Sequence, residues 1–81
     1  MDDDQVLKRI NELAEEERRI HASAEAEEGL SAEEHARLDA IEVALDQLWD
    51  YLRRRRARRR AGGNPDDEPL RDAATVESYL Q

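Results

Sequence analysis

LDAIEVALDQLWDYL, residues 38–52, decides the fold: Leu38, Ile41, Leu45, Leu48 and Leu52 recur at alternating steps of three and four. That spacing draws one apolar stripe along an α-helix, a seam into which a second helix packs. Trp49, the one tryptophan, lies beside the stripe. After Leu52 the pattern gives way to Arg53-Arg54-Arg55-Arg56-Ala57-Arg58-Arg59-Arg60, so seam and basic block share one helix.

The partner seam lies upstream. Val6, Ile10, Leu13, Ile20 and Ala24 keep the same spacing, with Glu17 in the one seam position that is not apolar and Leu7 and Ala14 widening the stripe. Asp2, Asp3 and Asp4 supply carboxylates for a helix start. Gly29-Leu30-Ser31 reads as a stop followed by an N-cap, and Ser31 with Glu34 fits a capping box. A connection this short makes the two helices antiparallel neighbours.

Mirror pairing about that turn sets Ile20 against Leu38, Glu17 against Ile41, Leu13 against Leu45, Ile10 against Leu48 and Val6 against Leu52. The next layer out is Asp3 opposite Arg55. Two seams that end together on opposite charges predict an all-α protein, an antiparallel two-helix hairpin of coiled-coil type with a partly ordered C-terminal tail. Residues 1–63 form the hairpin, with helix one at 3–27, a turn at 28–31 and helix two at 32–61. Residues 64–81 form an acidic linker, Asp66-Asp67-Glu68-Pro69, and a C-terminal segment. There Val76, Tyr79 and Leu80 fall at helical spacing and Thr75 is placed to cap a final turn. Lying back along helix two, this segment brings Asp66, Asp67 and Glu68 near the arginines.

Composition narrows the function classes. Among 81 residues, 42% are charged and 38% hydrophobic, and Phe and Cys are absent, which suits solvent-washed helices on a thin seam and leaves no thiolate, disulfide or Cys-based zinc site. So short a chain is only marginally stable alone, and a homo-oligomer, a dimer first, is the expectation. The acidic N-terminus is unlike a signal peptide and no apolar run approaches a membrane span, which predicts a cytoplasmic protein. The net charge of −8 hides an asymmetry: seven of the thirteen basic residues lie within 53–60.

The run Leu45-Asp46-Gln47-Leu48-Trp49-Asp50-Tyr51-Leu52, the arginine block, the Gly63-Asn64-Pro65-Asp66 linker and the ending Val76-Glu77-Ser78-Tyr79-Leu80-Gln81 together resemble a family of short actinobacterial proteins classed as domain of unknown function 2630. The resemblance covers nearly the whole chain and is most specific from Leu45 onward. It implies a bacterial, cytoplasmic, helical protein and brings no activity, cofactor or catalytic residue.

Candidate sites are read against simpler roles. His21 and His35, with Glu25 and Asp39 four residues on from each, have metal-ligand spacing, but exposed histidines in a charged helix give the same pattern by chance. Glu15-Glu16-Glu17 and the other carboxylates need a partly dry pocket for acid–base work, which a hairpin does not make. The expectation is a protein that is not an enzyme and holds no metal or cofactor. Leu7, Val43 and Trp49 are the candidate self-association face, and Arg9 is placed to stack on Tyr51. Arg53, Arg54, Arg56, Arg58, Arg59 and Arg60 are the candidate surface for a partner: an acidic protein, or the phosphates of a nucleic acid. Set against both is neutralisation of the block by the chain's own carboxylates.

Overall fold

The computed structural model describes residues 1–79. Among them the regular structure is wholly helical: α1 (Asp3–Ala26), α2 (Ala32–Arg60), a 3-10 turn (Pro65–Asp67) and α3 (Ala73–Tyr79). Leu80, expected in the last helix, lies outside the described residues. No described helix is long and apolar enough to cross a membrane.

Both long helices start where side chains satisfy the free backbone N–H groups. The Asp2 carboxylate accepts from the Gln5 N–H at 2.8 Å while the Gln5 side chain accepts from the Asp2 N–H at 2.9 Å. At α2, Ser31 Oγ accepts from the Glu34 N–H at 3.1 Å and the Glu34 carboxylate accepts from the Ser31 N–H at 2.9 Å. Such caps contribute about 1 kcal/mol each. α1 ends one residue earlier than Gly29 would dictate. Glu28 takes the left-handed conformation at φ 62°, and the Gly29 N–H donates back to the Ala24 carbonyl at 2.8 Å, as in a Schellman stop. α2 closes in the same way on a glycine: Gly62 sits at φ 85° and the Gly63 N–H donates to the Arg58 carbonyl at 2.9 Å. Asn64 then accepts from the Asp66 N–H at 3.0 Å, which with Pro65 turns the chain back.

The core lies between the two long helices. Val6, Ile10, Leu13, Ile41, Leu48, Tyr51 and Leu52 form one buried cluster, with Leu7, Ile20, Ala44 and Leu45 packed half-buried against it. Contacts along the pair run from Asp3, which meets Arg55 and Arg59, to Glu16, which accepts two hydrogen bonds from Arg37 at 2.6 and 2.7 Å. The fork on Glu16 also holds its carboxyl below the usual range.

Tyr51 widens the core beside the seam, but Arg9 is not the cation at its ring. It is buried, its hydroxyl donates to the Met1 carbonyl at 3.2 Å, and the cations near its ring are Arg54 and Arg55 at 5.9 and 5.6 Å, while Arg9 pairs with Glu12. One turn of α2 carries Tyr51, Arg54 and Arg55 together, which places those guanidinium groups over the ring by helix geometry alone.

α3 packs on α2 and does not meet α1. Asp72, rather than Thr75, caps it: the Asp72 carboxylate accepts from the Thr75 N–H at 2.7 Å, and that bond holds the Asp72 carboxyl low. Val76 is its one buried side chain. α2 is thus the spine, with α1 along one side and the returning C-terminal segment along another. The thinnest dimension is 14 Å, little more than the diameter of about 10 to 12 Å of one helix, so the surface carries open grooves.

Candidate functional site

The arginine block occupies the last two turns of α2, where three helix faces give its seven arginines different surroundings. Positions 55 and 59 continue the stripe of Leu48 and Leu52 and therefore meet the start of α1. Arg55 Nε donates to Asp3 at 2.8 Å and its Nη1 to Asp66 at 3.0 Å and to the Pro65 carbonyl at 3.1 Å. It is 2% exposed, a buried charge held by two carboxylates, and its bonds, that to Asp3 first, raise its proton affinity further. Arg59 donates to the second Asp3 oxygen at 3.0 Å. Arg59 first, then Arg55, pull the Asp3 carboxyl down to about 2.

Positions 54 and 58 face the returning linker. Arg54 pairs with Asp50 one turn back at 2.9 Å and with Glu68, and it donates to the Pro69 carbonyl at 2.8 Å. Arg58 meets the other Glu68 oxygen at 2.7 Å. Arg54 and then Arg58 hold the Glu68 carboxyl below its ordinary range. Asp50 is itself buried, so this is a small desolvated network rather than a set of surface pairs, and hydrogen bonds between charged groups are the stronger kind.

The third face carries Arg53, Arg56 and Arg60. All three are exposed, and among the described residues none has a carboxylate within ion-pair distance. They line one shallow groove with Asp50, Arg54 and Ala57. Of the six arginines singled out by sequence, three are therefore tied inside the molecule and three are offered to solvent.

Beside this face is a second, narrower groove between α2 and α3, lined by Asp46, Trp49, Arg53, Val76 and Tyr79. Trp49 is 41% and Tyr79 50% exposed. Tyr79 is held by Arg71, whose guanidinium lies 5.7 Å from the ring centroid and donates to the hydroxyl. Next to Val76 on α3, Glu77 Oε1 is buried without a hydrogen-bond partner among the described residues. The Asp46 carboxyl beside it, then burial and Glu42, push the Glu77 carboxyl up.

Leu7 and Val43 are half-buried. Leu7 packs against the core and borders an open groove of α1 with Asp4, Lys8 and Glu12, whereas Trp49 belongs to the α2–α3 groove. Leu7 and Trp49 thus border different grooves. His21 and His35 are exposed, and among the described residues there is no group of three or more side chains placed to hold a metal ion. Sequence reasoning did not single out Asp50, and it named Tyr79 only as part of the last helical turn. Asp50 was detectable through its four-residue spacing to Arg54; the return of the chain along α2 was expected, but the groove that Tyr79 shares with Trp49 depends on where that return docks α3, which local pattern does not encode.

A family model described as "Protein of unknown function (DUF2630)" matches residues 2–81. Uncharacterized proteins from Mycobacterium tuberculosis and Mycobacterium bovis are each 40% identical over 77 residues, an alignment covering 95% of this chain and 88% of the relative. No solved structure matches.

Proposed function

The chain belongs to the DUF2630 family, whose description carries no activity, and from that premise we propose that it is a non-enzymatic interaction module. In this reading α1 and α2 form an antiparallel, coiled-coil-like hairpin that presents one face of its arginine-rich helix end to an anionic partner. The contacts of Asp3 with Arg55, Glu16 with Arg37 and Met1 with Tyr51 support the antiparallel arrangement. The observation that carries the function is the division of the block: Arg53, Arg56 and Arg60 stand exposed on one stripe while their neighbours are engaged with carboxylates. A purely self-neutralising block has no reason to leave one whole face unpaired in a chain with 21 acidic residues.

Binding rather than catalysis also fits the carboxyl groups. Asp3, Glu16, Glu68 and Asp72 are held more acidic than usual, the opposite of what a general acid at neutral pH requires, whereas Glu77, beside Asp46, is pushed the other way. Self-association is a second reading, supported by the exposure of Trp49 and by the thin core; Val76 of α3 takes part of that apolar area.

Titration with long-chain inorganic polyphosphate tests the anionic-partner reading. Binding is expected at about 50 mM salt and much weaker at about 200 mM, because bound counterions are released on association. Combined Arg53→Gln, Arg56→Gln and Arg60→Gln should reduce affinity at least tenfold with helical content unchanged. An unchanged affinity in that variant, or no binding of the parent chain at the lower salt, contradicts the reading.

A further inference from the structure

Resting on the anionic-partner reading, we propose that the partner is a single-stranded nucleic acid, with one base seated in the α2–α3 groove between Trp49 and Tyr79 and its phosphates following Arg53, Arg56 and Arg60. The residues form one continuous path. Arg53 lines both the aromatic groove and the arginine groove, and Trp49, Arg53, Arg56 and Arg60 follow steps of four, three and four, so they share one face of α2.

Three features favour a strand over other anions. The aromatic groove encloses about 190 Å³, below the roughly 300 Å³ of a pocket for a complete small ligand, which suits a fragment such as a single base. Trp49 and Tyr79 are both exposed there, and aromatic rings at the head of a basic groove are the arrangement that stacks unpaired bases of any sequence. The arginines extend about 10.5 Å from Arg53 to Arg60 at 1.5 Å per residue. Phosphates of a stacked strand rise about 3.4 Å apart, so the stripe accommodates several in succession. A free nucleotide, with its phosphates gathered at one end, engages Arg53 and leaves Arg60 unused.

Charge sets the direction. Asp46 in the groove wall repels a phosphate yet accepts a hydrogen bond from a base N–H, so the base belongs in the groove and the backbone runs toward Arg60. A duplex keeps its bases stacked on each other and offers none to the groove.

Tryptophan fluorescence and anisotropy on the full chain test this with single-stranded DNA and RNA hexamers, an abasic strand of the same length, a duplex and a nucleoside triphosphate. At least one base-bearing strand should quench Trp49 and bind about tenfold tighter than the abasic strand, the duplex and the triphosphate; the DNA and RNA arms identify the sugar. Trp49→Ala and, independently, Tyr79→Ala should each weaken strand binding about fivefold or more while polyphosphate binding stays unchanged. The triple Arg→Gln variant should lower the salt slope by about two, from three lost single-strand phosphate contacts. Equal affinity for base-bearing and abasic strands, tighter binding of the duplex, or no strand binding at all overturns the inference. Polyphosphate binding retained in those cases leaves the anionic-partner reading standing.

Discussion

Leu52→Ala is expected to leave the protein largely unfolded at 37 °C. Leu52 is fully buried in the cluster that joins the two long helices, which also holds Val6 and Leu48. Truncating such a leucine costs about 2 to 5 kcal/mol, the lost transfer energy plus the cavity left behind. A single thin core at this chain length supplies about 3 to 5 kcal/mol in total. Leu45, in the same seam but half-buried, should cost visibly less when changed to alanine. Helical circular dichroism followed through urea and heat separates the two. A Leu52→Ala variant that melts with the parent removes the core assignment.

Arg55→Gln is expected to destabilise by about 2 kcal/mol, the loss of charge-assisted hydrogen bonds at a buried guanidinium, while Asp3 keeps Arg59 and Asp66 stays largely in solvent. The substitution removes the bonds to Asp3, Asp66 and the Pro65 carbonyl at once, and so loosens both the start of α1 and the linker. Acid should act on the same network. Asp3 titrates near 3.8 when unconstrained and about 2 in the folded chain, so its contribution is complete above about pH 4 and lost as pH falls toward 2. Glu68 shifts in the same direction. Glu77 runs oppositely: raised in the folded chain, it favours the docked α3 in acid and loses that contribution as pH rises through its folded value. Urea unfolding between pH 2 and pH 7 should therefore show stability rising out of acid, with a shallower rise in Asp3→Asn. A slope unchanged in that variant contradicts the role given to Asp3.

The helical elements were legible because their signals are local. Apolar spacing, the Ser31 capping box and the Gly62-Gly63 stop each act within a few residues, and the layer that sets Asp3 against Arg55 follows from extending the same spacing by one turn. The sorting of the arginines was only half legible. Arg55 and Arg59 continue the seam and could be assigned inward from periodicity. Arg54 and Arg58 are engaged because the chain reverses at Asn64-Pro65 and delivers Glu68 beside them, and nothing in a run of near-identical residues distinguishes them from Arg53 and Arg56. The Arg9 stacking was misread for a related reason: Tyr51 already lies near Arg54 and Arg55 of its own helix and needs no cation from α1.

We infer a division within the arginine block: Arg54, Arg55, Arg58 and Arg59 tie the end of α2 to the start of α1 and the linker, while Arg53, Arg56 and Arg60 stand exposed for the proposed partner. Thermal melting at low salt of two variants that each lose three positive charges tests it most directly: Arg54→Gln with Arg55→Gln and Arg58→Gln, against Arg53→Gln with Arg56→Gln and Arg60→Gln. With 1 kcal/mol equal to about 4 to 8 °C at this size, the first set should lower the melting temperature by about 15 °C or more, and the second by less than about 4 °C. Equal shifts in the two variants would contradict that division.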